Sequence, residues 1–272
     1  MIKVQQEKVV LGQPWGGLGD NLQYSNLPEL YYKKGIKFYV SIFNQTRNKN
    51  IDQFCWRDNN FSYGKILKKP NIGWKIWIDN LESYKNRKDL NIIQKNNLNH
   101  GFEEGNGFPS INIDKKLKHN RIQYNYLADF NAITMVPASS GWNQIQQYIG
   151  NTNLSILSFP KVKNLTDAPS FLKSDNDKVL MDSFEDMLEI LSKTDTFICL
   201  NSGSHSLAAA LKNIIGRPNN IICFYAGAKD IKNPDGRFMF HNVEYKIVDG
   251  LPRKPVRDRK LELYEKLYLN FF

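Results

Sequence analysis

Cysteine is scarce in this chain. Cys55, Cys199 and Cys223 are the only three thiols, too few and too scattered for a disulfide framework or a zinc site. Cys199 and Cys223 stand inside apolar, strand-like runs, where a thiol behaves as a small buried hydrophobe. Long apolar runs are missing too, and nothing approaches the roughly 20 residues that span a bilayer. The stretch Met1 to Leu11 carries Lys3, Glu7 and Lys8 and lacks the apolar core of a secretory signal. A cytoplasmic protein is therefore expected. There is no P-loop lysine followed by Ser or Thr, no Gly-x-Ser-x-Gly elbow and no Cys/His nucleophile signature. His100, His119 and His241 lack metal-ligand spacing. Asp175-Asn176-Asp177 fits a metal-holding Asp-x-Asp pattern, but no apolar strand precedes it and it reads as a solvated turn. No metal is expected.

What the sequence does have is a core. Its 272 residues are 41% hydrophobic, with 16 Phe, 13 Tyr and 5 Trp, enough for one large domain or two of ordinary size. It also has a formal net charge of +10. Nucleic acid, an anionic membrane surface and acidic glycans would all suit that charge, and so would a plain surface preference for Lys and Asn. No nucleic-acid-binding motif accompanies it, so no nucleic-acid partner is expected.

Val9 to Gly12 predicts a short strand, followed by the Gly-rich run Pro14 to Asp20, a helical stretch to about Lys34 and a second strand over Ile36 to Phe43. Strand, turn, helix, strand is a βαβ unit and implies a parallel sheet. Pro28 requires the helix to start near Asn26 or to kink there. From Asn44 to Gln123 the pattern is weak, with Gly101, Gly105, Gly107 and Pro109 marking an irregular loop. A second series begins near Ala132. It comprises a strand over Ile133 to Val136, a helix over Trp142 to Ile149 and a strand over Leu154 to Phe159. After a polar stretch, Ser183 caps a helix to Ser192 with Phe184, Met187, Leu188 and Leu191 on one face. Strands over Thr196 to Leu200 and Ile221 to Tyr225 flank a helix over Ser204 to Lys212. Val256 to Phe272 is amphipathic. Two α/β lobes are predicted, 1–130 and 131–272.

Two segments carry chemistry. Trp15-Gly16-Gly17-Leu18-Gly19-Asp20-Asn21 lets the backbone turn sharply before a helix N-terminus, where N–H groups favour an anion. The third glycine of G-x-G-x-x-G is missing, and Asp20 is as consistent with a helix cap as with a ligand contact. The second segment is Leu200-Asn201-Ser202-Gly203-Ser204-His205-Ser206-Leu207-Ala208-Ala209-Ala210-Leu211. Here a buried strand meets a helix through small polar residues, the place where ligands bind in open α/β sheets. A tight turn without a ligand would look the same.

The run from Gly17 to Leu30 resembles the first turn of glycosyltransferase family 9, the lipopolysaccharide heptosyltransferase family, with its Gly-Asp pair followed by a proline. Ser183 to Leu211 is similar to that family's second signature, a Leu-rich helix and a strand before Asp-Ser/Thr-Gly-x-x-His-Leu-Ala-Ala-Ala. Phe224-Tyr225-Ala226-Gly227-Ala228-Lys229-Asp230 stands where the family has a nucleotide-contacting loop. The resemblance implies a GT-B fold, α/β with two Rossmann-like lobes and parallel sheets facing a cleft. It implies a metal-independent, inverting transfer of a heptose-like or other hexose sugar from a nucleotide-diphosphate donor to a glycan or glycolipid acceptor, with no cofactor. By the same resemblance Asp20 is the general base, with Gly17, Gly19 and Asn21 in the acceptor-side loop. Asn201, Ser202, Gly203, Ser204, His205, Tyr225, Gly227 and Lys229 meet the donor. The C-terminal helix would return to the N-terminal lobe, and peripheral contact with an anionic membrane surface at the inner face would fit such an acceptor. Asn201 replaces the family's Asp, and His205 stands one residue earlier than the family's His. A non-catalytic glycan- or nucleotide-binding homologue is the alternative, and a basic nucleic-acid-binding protein a more distant one.

Overall fold

The structure is a computed structural model that describes residues 7–73, 87, 89–113, 122–131, 135–159, 178–227 and 239–252. Two compact units emerge, one built on Met1–Asn112 and the other on Ile113–Lys254. The amphipathic segment after Val256 lies outside the described residues.

In the first unit the strands are β1 (Lys8–Gly12), β2 (Lys37–Ser41), β3 (Ser62–Ile66) and β4 (Ile72–Gly73). They form one sheet in the order β3-β2-β1-β4, and every pairing is parallel. The stretch around Pro28 folds as two helices, α1 (Leu18–Leu22) and α2 (Leu27–Lys33), with Asn26 as the second N-cap. Proline lies in the first turn of α2, where its missing N–H has no intrahelical acceptor to lose. After β2 comes α3 (Lys49–Asp52), running on into a π-helical turn over Gln53–Arg57, and after β4 comes α4 (Ile92–Asn99). Leu11, Leu22, Leu27, Phe38, Val40 and Trp56 form the buried centre.

The second unit holds β5 (Tyr124–Asp129), β6 (Met135–Pro137), α5 (Ser139–Ile149), β7 (Ser155–Ser158) and β8 (Lys178–Leu180). It continues with α6 (Phe184–Ser192), β9 (Thr194–Leu200), α7 (Gly203–Ile215), β10 (Asn220–Gly227) and β11 (Glu244–Pro252). Its strand order is β6-β11-β10-β9-β5-β7-β8. Apart from the antiparallel β6–β11 edge, the sheet is parallel. From β5 the chain winds outward through β7 and β8, then returns to β9 and winds the other way through β10 and β11. That is the doubly wound Rossmann order, with its switch point between β5 and β9. Phe130, Ile145, Leu200, Phe224 and Val248 meet in one apolar cluster under it.

β5 pairs with β9 and β7 and so belongs to the second unit, which begins at Ile113. The strand expected over Ile133 to Val136 is the antiparallel edge strand β6, beginning at Met135, with 132–134 outside the described residues.

Candidate functional site

In the first unit, the loop leaving β1 carries the Gly-rich run. Arg47 N–H donates to the Gly16 carbonyl at 2.7 Å. A Cβ on Gly16 would stand 2.8 Å from Arg47 N, and one on Gly17 would stand 2.7 Å from Asp20 Oδ2. Only glycine lets these two backbones and the carboxylate approach so closely. Asp20 sits in the first turn of α1 and its Oδ2 accepts the Gly17 N–H at 3.0 Å, completing half of a capping box. The Arg47 guanidinium also reaches the space before Gly17, its Nη2 lying 4.0 Å from that same Cβ position. Arg47 had no motif to announce it, since it lies in a polar loop far along the chain.

Asn21, by contrast, is fully buried. Its Nδ2 donates to the Gly17 carbonyl at 2.9 Å, and its Oδ1 accepts from Trp56 Nε1 at 2.9 Å and Asn44 Nδ2 at 3.3 Å. Its side chain ties the loop expected on the acceptor side to the core.

The second unit's turn lies at the switch point. β9 ends at Leu200, paired with Phe224, while β10 runs on through Tyr225 to Gly227. Half-buried Tyr225 and the backbone of Gly227 therefore overhang the Asn201–Gly203 turn. Lys229 lies outside the described residues, as does Asp175-Asn176-Asp177. Ser202 is the N-cap of the 13-residue α7, and its side chain makes no capping bond. The N-cap side chain thus leaves room at the helix start, where an anion is favoured by backbone N–H groups. Ser202 Oγ instead lies 2.7 Å from Ser204 Oγ.

His205 is 1% exposed. Its Nδ1–H donates to the Ser202 carbonyl at 2.5 Å, and its ring lies beside Phe240 and Tyr245, with centroids 5.4 and 6.2 Å away. The imidazole braces the turn from within.

Asp129 completes the site and was not foreseen. It ends β5 opposite Cys199 and is 2% exposed. The Asn131 N–H and Nδ2–H both donate to its Oδ1, at 3.0 and 2.8 Å, and the Ser204 side chain hydrogen-bonds to it as well. Burial pushes its pKa up against those three donors. A lone Asp after Tyr-Leu-Ala in a weakly patterned stretch gives no signal that it will stand beside residue 204.

Among the described residues no group of three or more His, Cys, Asp or Glu stands together as a metal site, and no helix is long and apolar enough to cross a membrane.

No protein-family model matches the chain, and no curated protein matches it. Solved structures do. The iron-containing dodecameric glycosyltransferase TibC from enterotoxigenic E. coli superposes with a TM-score of 0.60 at 12% identity, over 99% of this chain and 77% of that one. A family 9 glycosyltransferase from Veillonella parvula matches with a TM-score of 0.54 at 10% identity, over 97% and 89% of the two chains. The E. coli heptosyltransferase WaaC, solved with ADP-2-deoxy-2-fluoro heptose, matches with a TM-score of 0.52 at 11% identity, over 97% and 99%. The chain has the fold of these family 9 glycosyltransferases, the heptosyltransferases.

Proposed function

We propose that this chain is a glycosyltransferase that moves a sugar from a nucleotide-diphosphate donor to a hydroxyl of a glycan or glycolipid. The observation that carries this reading is the α7 N-terminus. It is a helix start without a side-chain cap from its N-cap serine, at a Rossmann switch point, in a fold whose solved examples hold ADP-heptose in TibC and an ADP-heptose analogue in WaaC. Backbone N–H groups of the Gly203 to His205 turn would bind the diphosphate, and the helix dipole would favour its charge as the sugar departs. Tyr225 and Gly227 would lie along the nucleotide, with Asn201 beside the donor where the family carries an acid.

In the first unit, Asp20 would take the proton of the acceptor hydroxyl as that oxygen attacks the anomeric carbon. A single displacement of this kind inverts the anomeric configuration. Arg47 would steady anionic groups near the same loop. No divalent ion enters this scheme, so transfer is expected to survive EDTA. The basic charge of +10 suits an anionic glycolipid acceptor at a membrane surface.

The test is incubation of the purified chain with ADP-, GDP-, UDP- and CDP-sugars, following release of the nucleoside diphosphate with and without glycan acceptors. Release from one donor class, accelerated by acceptor and unchanged by EDTA, is the expected result. Binding of a nucleotide without release from any donor would favour the non-catalytic homologue, and no binding at all would remove the reading.

A further inference from the structure

Asp129, Ser204 and Ser202 form a line of oxygen atoms from the buried end of β5 to the half-buried start of α7. Each serine hydroxyl has a single proton. While Asp129 is ionised it can only accept, so Ser204 donates to it. The 2.7 Å contact between the serines must then be Ser202 donating to Ser204. In that state the Ser202 hydroxyl has no proton left for a ligand and presents only lone pairs at the helix start. Lone pairs repel phosphate oxygens. The turn is therefore mismatched to a diphosphate for as long as the carboxylate keeps its charge.

We propose that Asp129 takes up one proton when a nucleoside diphosphate binds, reversing the two-serine relay so that Ser202 donates to the phosphate. This rests on the donor site proposed above. The balance is closed: a proton from solvent joins Ser202 Oγ, the former Ser202 proton passes to Ser204 Oγ, and the former Ser204 proton passes to an Asp129 oxygen. No bond to carbon changes. Afterwards Asp129 donates to Ser204, Ser204 to Ser202, and Ser202 to the ligand. The ligand's negative charge, brought close to a buried carboxylate, drives the uptake.

The surroundings suit the change. Burial already pushes the Asp129 carboxyl up, so its neutral form is within reach. Facing it are Cys199 on β9, whose thiol burial keeps neutral, and Cys223 on β10 behind that. His205 and Tyr245 lie beyond the turn, with the Tyr245 phenol also raised by burial. Asn131 donates twice to Oδ1, and the relay needs only the carboxyl's other oxygen for its new proton.

The experiment is titration calorimetry of ADP, GDP, UDP and CDP into the full chain, in buffers of differing ionisation heat, above the phosphate pKa of about 6. For the nucleotide that binds, uptake rising toward about one proton is expected, with affinity falling up to about tenfold per pH unit as pH rises through the linked window. Asp129→Asn, whose amide donates to Ser204 permanently, should bind at least as tightly as the parent, without uptake and with a flat pH dependence. Ser204→Ala, which cuts the relay and leaves the Ser202 proton free for the ligand, should also lose the uptake and show a flat pH dependence. Uptake that is absent from the parent chain, or equal in all three proteins, overturns the relay while leaving the donor site standing. If none of the four nucleotides binds the parent chain, the donor site and the relay fall together.

Discussion

At Asp20, one carboxylate oxygen already accepts the Gly17 N–H at 3.0 Å, so helix capping is part of its work. Capping alone would not need a charge, because Asn caps about as well as Asp. Proton transfer does need it. Asp20→Asn is therefore expected to fold with near-parental stability, to bind the donor nucleotide unchanged and to lose a hundred- to ten-thousandfold, roughly, in turnover. Near-parental transfer by that variant would refute the assignment. Asn21, its neighbour, tests a different property. Asn21→Ala removes the acceptor for the buried Trp56 indole and the partner of Asn44. Unfolding by denaturant should show a loss of about 1–3 kcal/mol, the cost of leaving buried donors unpaired. The sequence placed both residues in one motif. It could not separate them, since the two roles depend on which way each side chain leaves α1, and a helix five residues long has no periodicity to reveal that.

Elements, rather than residues, explain the pH response expected of the first unit. His100 caps the C-terminus of α4 and its Nδ1 lies 2.9 Å from the Tyr31 hydroxyl of α2, so it joins the two helices. Burial lowers its pKa from 6.5 to about 4 and pushes Tyr31 up to about 12. A histidine depressed on folding contributes nothing unfavourable above the unfolded value near 6.5. Below that value the unfolded chain gains the proton first, so stability is lost as pH falls from about 6.5 to 4. Thermal melts across that range should show a loss on the order of 2 kcal/mol, and His100→Gln should flatten it. Elements also differ in how openly the sequence declares them. Helix α6 was legible to the residue, because Ser183 and Asp186 form a reciprocal capping box at 3.0 and 3.1 Å. Strand β5 was not. Its first three residues are exposed or half-buried and its last is an acid, so only Leu127 and Ala128 carry a strand signal.

Over the whole molecule, two units with separate sheets and separate apolar centres make separable unfolding steps the expectation. The turn proposed to bind the donor belongs entirely to the second unit. Nucleoside diphosphate at a hundred times its dissociation constant should stabilise that unit's transition by about 2.7 kcal/mol. Hydrogen exchange should slow at Ser202 to Ser206 and the end of β10, while the first-unit amides around Asn21 and Trp56 stay unchanged. Equal protection in both units would place the nucleotide elsewhere.

The sequence by itself determined the parallel α/β class, the Gly-rich loop before α1, and the strand–turn–helix that ends in the Ala-rich first half of α7. These are local patterns, written in periods of two and 3.6 residues and in turn chemistry that neighbouring residues settle among themselves. Tertiary structure alone decided where the second unit begins, that His205 faces inward, that Arg47 reaches the space before Gly17, and that Asp129 stands beside Ser204. Each of these depends on pairing between strands far apart in the chain, such as β5 with β9. A polar side chain's partner across such a pairing leaves no mark on the residues next to it.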